Sequence, residues 1–305
     1  MSELSLIRRF RRSAPAHRYV IVGPGQDCAI LRWPPGRELA FKIDQIVEGT
    51  HFVLKGPEAA TPRQVGWKAM AKACSDIAAA GCWPVAATVA VNLSRGCGDR
   101  LALELHRGIA ACCKRYRFAL AGGDISVSKN RLSVAVSLLG EGPARKSGKA
   151  WTRAGAMPGD ILFVTGTLGG SRGGKHLDFK PRLDEARAIR SIVPTGVHAC
   201  IDITDGLSRD LFHLCEESGC GAEIVESAVP LSADATFNQA LHDGEDFELL
   251  LAVAPSAAKK LKRQWKLTTP LTRIGRILPR RAGCRLVRAD GSTGPLPNVG
   301  YEHRT

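Results

Sequence analysis

Long apolar runs are missing from this chain. The longest, at residues 161–164 and 249–254, fall far short of the roughly 20 residues that a membrane-spanning helix needs. The opening residues predict no secretory leader, because Ile7-Arg8-Arg9-Phe10-Arg11-Arg12 puts charge where an apolar segment would have to run. Cysteine occurs ten times but never as C-x-x-C, which speaks against a structural zinc site. Cys74, Cys112 and Cys200 each follow Ala in an apolar run, where a thiol packs as a small hydrophobe. A reduced, cytoplasmic chain is the expectation. Aromatics are only 6% and interleave with none of the basic clusters, so a single-strand nucleic-acid surface is not indicated even at a net charge of +14. A basic exterior that attracts anionic metabolites is the simpler reading.

What remains is ordinary globular material, 44% apolar and 24% charged. Its 305 residues exceed one comfortable core and predict two domains. Strands are expected at 19–22, 28–33, 39–43, 85–93, 118–121 and 132–139. A short amphipathic helix is expected over 1–12. Two more fall at 61–80, where Thr61-Pro62 gives an N-cap and first-turn proline, and at 99–117. The polar stretch Glu141-Gly-Pro-Ala-Arg-Lys-Ser-Gly-Lys-Ala150 marks a boundary, giving domains 1–145 and 146–305. Beyond it, strands are expected at 161–165, 199–203, 222–225, 247–254, 272–278 and 285–288, with helices at 183–192, 206–218 and 256–265. Interleaved helices and strands make the first half α/β or α+β.

Acidic residues are scarce, 29 against 43 basic ones, so their positions carry information. Asp27 follows a glycine turn, Asp44 ends a strand, and Asp76 sits in an alanine-rich helix where Asp is a poor choice. Asp124 follows Gly122-Gly123 directly after a strand, Asp202 and Asp205 flank a strand-to-helix junction, and Asp246 lies in Asp243-Gly-Glu-Asp. Each has a plain structural reading: a carboxylate in a glycine turn caps its own backbone, and Thr204 or Asp205 would N-cap the next helix. Together, in a chain with excess positive charge, they suggest one shared cation site. Oxygen-only ligation selects Mg²⁺ or Ca²⁺, and carboxylate-held Mg²⁺ usually serves a polyphosphate. Gly169-Gly-Ser-Arg-Gly-Gly-Lys-His176 nearly matches a phosphate-binding Walker motif, but His176 stands where a hydroxyl is required and Pro181 follows closely. A mobile glycine-rich connection is the alternative.

Eight ordered segments resemble those of thiamine-monophosphate kinases. They are Gly23-Pro-Gly-Gln-Asp-Cys-Ala-Ile-Leu31, Asp44-Gln-Ile-Val-Glu-Gly-Thr-His-Phe52, Gly66-Trp-Lys-Ala-Met with Ser75-Asp-Ile-Ala-Ala-Ala-Gly81, Gly122-Gly-Asp124, Arg153-Ala-Gly-Ala-Met-Pro-Gly-Asp160, Val164-Thr-Gly-Thr-Leu-Gly169, Ile201-Asp-Ile-Thr-Asp-Gly-Leu207 and Gly244-Glu-Asp-Phe-Glu-Leu-Leu250. The resemblance implies an aminoimidazole ribonucleotide synthetase-like (PurM-like) fold, with an N-terminal α/β domain that dimerises through a sheet and a C-terminal α+β domain. It implies transfer of the ATP γ-phosphoryl onto thiamine monophosphate with Mg²⁺, and a homodimer. By motif, Asp27, Asp44, Asp76, Asp124, Asp202 and Asp205 would hold metal. Gly123, Asp124, Arg153 and Thr204 would meet ATP, with Asp124, Asp205 and Arg153 closest to catalysis. His51, Glu245 and Tyr301 would contact the thiamine ligand. An acceptor that is already a phosphate anion needs no general base, which agrees with the lack of a Ser/His/Asp or Cys/His constellation.

The chain departs from the family pattern at Gln26, at Lys42-Ile43 where the family carries small hydroxyl residues, at Asp243 in place of glycine, and in a short stretch between Gly169 and Pro181. A cation at position 42 predicts fewer bound metals than the family norm. Competing readings are a relative acting on another acceptor and a non-catalytic nucleotide-binding relative. Selenophosphate synthetase is disfavoured because Cys28 follows Asp27 rather than preceding it with a lysine partner. The hydrogenase-maturation relative is disfavoured because the tail Tyr301-Glu-His-Arg-Thr305 ends without cysteine.

Overall fold

A computed structural model describes residues 13, 15, 17–22, 30–31, 33–144 and 148–301. Asp27, Gln26, Cys28 and the helix expected over 1–12 lie outside the described residues. The chain forms two compact units, one made of Met1–Ile77, Trp83–Glu141 and Leu177–Phe179, the other of Ala78–Cys82, Gly142–His176 and Lys180–Thr305. No helix among the described residues is long and apolar enough to cross a membrane.

In the first unit the elements run β1 (Val20–Val22), β2 (Ile30–Leu31), β3 (Arg37–Val47), α1 (Pro62–Ala79), β4 (Trp83–Ser94), α2 (Gly98–Tyr116), β5 (Ala119–Ser128) and β6 (Ser133–Ala144). Strands β1 and β2 pair with each other, while the main sheet has the order β3-β6-β4-β5. Strands β4 and β5 are parallel and need a crossover, which α2 supplies. Helix α1 starts as its sequence requires. Gln64 N–H donates to Thr61 Oγ1 (3.2 Å) and Thr61 N–H to Gln64 Oε1 (2.9 Å), a capping box ahead of Pro62.

Helices α1 and α2 touch backbone to backbone. A Cβ on Gly66 would stand 2.0 Å from Leu105 O, and one on Gly108 would stand 1.9 Å from Arg63 O. Only glycine permits that approach. Strand β5 is longer than expected: it continues through Gly122, Gly123 and Asp124 to Ser128, in parallel register with 86–94 of β4. The glycines that looked like a strand end are instead a close backbone approach, with a Cβ on Gly123 2.4 Å from Val89 O.

Strand β3 alternates strictly. Glu38, Ala40, Lys42, Asp44 and Ile46 are the more buried set, whereas Leu39, Phe41 and Ile43 lie on the other face at 50%, 73% and 67% exposure. Gly140 of β6 lies where a Cβ would touch both Ile77 of α1 and Ala40, so the more buried face of β3 is the one that α1 covers.

The second unit adds β7 (Ile161–Thr165), the start of α3 (Lys175–Asp178), whose Leu177 and Asp178 count with the first unit, α4 (Leu183–Ile192), β8 (Val197–Asp202), α5 (Leu207–Ser218), β9 (Cys220–Val225), α6 (Phe237–His242), β10 (Leu249–Val253), α7 (Pro255–Gln264), β11 (Leu271–Pro279), β12 (Cys284–Val287) and β13 (Thr293–Pro295). Its seven strands are ordered β13-β12-β9-β11-β7-β10-β8. Only β12 and β9 among them pair in parallel. All five residues of β10 are buried, as a strand covered on both faces requires. Leu207, Leu211 and Leu214 of α5 pack with Ile201, Leu250 and Ile274 in the core. Helix α6 was not expected. Its signal was Thr236 three residues before Gln239, a second capping box.

Candidate active site

The first unit brings Asp44 and Asp76 together and places two lysines with them. Lys42 Nζ stands 3.1 Å from Asp76 Oδ1 and 3.5 Å from Asp44 Oδ2, and Lys72 Nζ lies 3.5 Å from Asp44 Oδ1. Strand alternation puts Lys42 on the face of Asp44, and helical spacing puts Lys72 on the face of Asp76. Ile43 points the other way, so of the two departures beside Asp44 only the lysine side chain reaches the carboxylates. Asp44 Oδ2 is buried and accepts no hydrogen bond, so the Lys42 ammonium at 3.5 Å meets it as a charge alone. Asp124 is exposed on β5, and β6 and β4 separate its strand from β3. Three inter-strand spacings amount to about 14 Å. Among the described residues, no group of three or more His, Cys, Asp or Glu side chains gathers as a ready metal cage.

His51 closes a turn on the end of β3. Its Nδ1 accepts the Val47 N–H (3.1 Å), which puts the proton of the neutral ring on Nε2. Lys68 of α1 is fully buried and donates its ammonium to His51 O (2.7 Å). The sequence reading missed Lys68. The signal was a lysine in the apolar stripe of α1, three residues after Val65.

In the second unit the strand β8 to helix α5 junction carries Asp202, Thr204 and Asp205. Neither Thr204 nor Asp205 caps α5: the cap position is Gly206, with φ 107° and no side-chain cap. Instead, the Asp210 carboxylate accepts the amides of Thr204 (2.8 Å) and Asp205 (3.0 Å). Burial lifts the Asp210 carboxyl well above the usual carboxylate range; the two amides oppose that lift, and the charges of Asp205 and Asp202 add to it. Asp210 was also missed, although an acid in the first turn of a helix is its own signal.

Two further segments fasten onto this turn. Glu245 N–H donates to Thr204 O (2.7 Å) and Phe247 N–H to Ile203 O (2.8 Å). Tyr301 N–H donates to Asp205 O (2.9 Å). Thr204 and Asp205 of one motif, Glu245 of another and Tyr301 are thereby adjacent. Glu245 and Phe247 have φ of 54° and 53°, and Gly244 has 69°. Two non-glycine residues held in the left-handed region mark stored strain of the sort found at functional sites. Arg153 is exposed on the segment leading into this unit. Thr152 O accepts Cys200 N–H of β8 (2.9 Å), so Arg153 runs beside the strand that ends at Asp202.

The glycine-rich segment is fastened, not a loose connection. Gly169 N–H donates to Asp246 Oδ1 (2.9 Å), Gly170 N–H to Asp243 Oδ2 (3.3 Å), and Ser171 Oγ to Gly244 O. Asp243, the departure from glycine, thus has a role. Lys175 turns inward: its Nζ donates to Thr167 O (2.6 Å) and lies 3.4 Å from Glu248 Oε1. That lysine neutralises internal carboxylates, where a Walker lysine would face phosphate. Glu248, fully buried, is gripped by Nε and Nη2 of Arg182 and by Thr165 Oγ1. Burial pushes the Asp246 carboxyl up to about 7, with Lys175 and the Gly169 amide holding it down and Glu248 and Asp243 raising it further. Arg172 lies over the Tyr301 ring at 5.9 Å.

Residues 25–141 match the family of AIR synthase related proteins, N-terminal domain, and residues 157–284 match the C-terminal domain of the same family. A thiamine-monophosphate kinase of Rhodopirellula baltica is 36% identical, with 92% of this chain and 89% of the relative aligned. The crystal structure of the enzyme of that name from Stenotrophomonas maltophilia superposes with a TM-score of 0.81 at 27% identity, over 96% of this chain and 98% of the other. A structure of AaThiL complexed with AMPPCP and TMP superposes with a TM-score of 0.74 at 26% identity, over 99% and 96% of the two chains. Matched in both halves and along most of its length, the chain belongs to the thiamine-monophosphate kinase family.

Proposed function

We propose that the protein transfers the γ-phosphoryl group of ATP to thiamine monophosphate, giving thiamine diphosphate. The observation that carries this reading is the turn at 202–206, where Thr204 and Asp205 of one motif, Glu245 of another and Tyr301 come together through backbone hydrogen bonds. The relative bound to AMPPCP and TMP supports both substrates.

The chemistry asks little of a base. The acceptor oxygen belongs to a phosphate anion, so it attacks phosphorus without losing a proton first. The protein must instead align two anions and offset their charge. Arg153 supplies positive charge to the nucleotide phosphates, and Thr204 positions them. In the first unit His51 offers Nε2–H as a donor; in the second, Glu245 and Tyr301 present an anion and a ring face suited to a cationic heterocycle. Mg²⁺, when bound, would supply charge neutralisation to the phosphates. Asp44, Asp76 and Asp124, together with Asp27, in the first unit and Asp202 and Asp205 in the second are the carboxylates that would hold such ions, an all-oxygen donor set of the kind Mg²⁺ takes.

Two further features belong to this reading. The exposed apolar row Leu39, Phe41 and Ile43 on edge strand β3 supports a homodimer built through the sheet. The nine described cysteines are all free thiols, most of them buried, which supports a reducing, cytoplasmic setting. The test is to incubate the purified protein with ATP, Mg²⁺ and thiamine monophosphate and to follow thiamine diphosphate by chromatography. Product that disappears in Asp76→Asn and Asp124→Asn is the expected outcome. Absence of product from a folded protein that binds AMPPCP would overturn the assignment of the acceptor.

A further inference from the structure

Strand β3 and helix α1 bring charges of both signs to one point: among the described residues, two ammonium groups, Lys42 and Lys72, face two carboxylates, Asp44 and Asp76. Lys42 is the bridging member, being in contact with both acids. Its partner Asp44 has a side chain only 10% exposed, and its Oδ2 atom accepts no hydrogen bond. The Lys42 ammonium therefore meets that oxygen at 3.5 Å as a charge, the way a cation would.

We infer that the Lys42 ammonium takes the position of one divalent cation between Asp44 and Asp76, so that the protein binds one metal ion fewer at this pair than its carboxylates alone would hold. A Mg²⁺ ion seeks carboxylate oxygens at about 2.0–2.1 Å. An ion ligated by the same Asp76 oxygen would stand beside the ammonium with no water layer to screen the repulsion. The lysine is tethered, so the charge it supplies is constant and independent of the free metal concentration. It also lacks the open coordination positions through which a metal bridges phosphates, so its work is to neutralise and hold the two acids. Lys72 adds a second fixed charge from the helix side, at 3.5 Å from Asp44 Oδ1. The importance of this substitution for catalysis rests on the proposed kinase reading, but the number of ions bound does not.

The test counts Mn²⁺ bound per full-length chain in the presence of AMPPCP, by electron paramagnetic resonance of the free ion. Wild type, Lys42→Met, Lys42→Gln and Lys42→Met/Asp76→Asn are compared. Both single variants are expected to bind one Mn²⁺ more per chain than wild type, and the double variant to return to the wild-type count. The melting temperature of Lys42→Met should fall in chelator and recover with Mn²⁺, because the two acids then repel. Equal Mn²⁺ counts in wild type and in whichever single variant folds, judged by circular dichroism, would overturn the inference. A wild-type sample that makes no thiamine diphosphate while the extra ion still appears in the variants would remove the kinase reading and leave the inference standing.

Discussion

The two halves hold their functional groups by different means. In the first unit, Lys42, Asp44, Lys72 and Asp76 project from the interior of a regular strand and a regular helix, and side-chain charge holds them together. In the second, Thr204, Asp205, Glu245 and Tyr301 sit on irregular backbone, and main-chain hydrogen bonds hold them. Regular elements fix a side chain's direction through their period alone, leaving charge free to vary there. Irregular backbone has no such period and needs left-handed residues and a buried acceptor such as Asp210 to keep one shape. The first cluster should therefore tolerate changes of shape and respond to changes of charge. The second should do the reverse.

The sharpest break in that comparison comes from Gly244→Ala. Gly244 has φ 69°, and an added Cβ would stand 2.5 Å from Thr204 O. We expect a loss of about 1–3 kcal/mol in urea unfolding and about a 100-fold drop in kcat/KM, because the turn carrying Asp205 moves. Wild-type kinetics in this variant would show that the backbone geometry is not what holds the second cluster.

A smaller, pH-dependent effect should come from Asp246. Its carboxyl titrates near about 7 in the folded chain and in the ordinary carboxylate range when unfolded. Between those values the folded state binds the extra proton, so stability falls as pH rises through the window and levels off above about 7. The slope approaches about 1.4 kcal/mol per pH unit at most. Urea titrations of wild type and Asp246→Asn between about pH 5 and about pH 8 check it. The variant should lose less stability with rising pH, and parallel curves would contradict the assignment.

The smallest effect is expected at Lys68→Met. Removing the ammonium takes a donor from His51 O and loosens the turn that presents the ring. A hydrogen bond from a charged donor is worth about 1.5–3 kcal/mol, and because only part of that loss reaches the ligand through the ring, KM for thiamine monophosphate should rise roughly two- to tenfold. The kcat should hold under the proposed role of His51 as a binding residue. A fall in kcat with KM unchanged would place His51 in the chemical step.

Much of this was legible in the residues. The stripe at Leu105, Ile109, Cys112 and Cys113 gave α2, and Thr61-Pro62 gave the start of α1. Strand β5 was cut short at residue 121 because glycines ordinarily end strands, and only the parallel register with β4 explains why they continue one here. Thr204 and Asp205 looked like helix caps because their own spacing allowed it. Instead, the carboxylate of Asp210, five residues past Asp205, accepts the amides of both. The glycine-rich segment looked loose because local sequence says nothing about Asp243, Asp246 and Gly244, which anchor it from some 70 residues away.

The sequence by itself determined which residue types the chemistry could use. Scarce aspartates at strand ends in a positively charged chain pointed to an oxygen-ligated cation of the kind that serves a polyphosphate, and the resemblance to a known family supplied the phosphoryl transfer and the arginine. It also determined the periods, and so the faces on which Lys42 and Ile43 part company. Only the tertiary structure decided which charges meet. The pairing of Lys42 with Asp76 joins residues 34 positions apart, and the grip of Glu245 on Thr204 joins residues 41 apart. Both depend on how strands and helices pack, because attraction between charges and hydrogen bonding act over a few ångströms of space and take no account of distance along the chain.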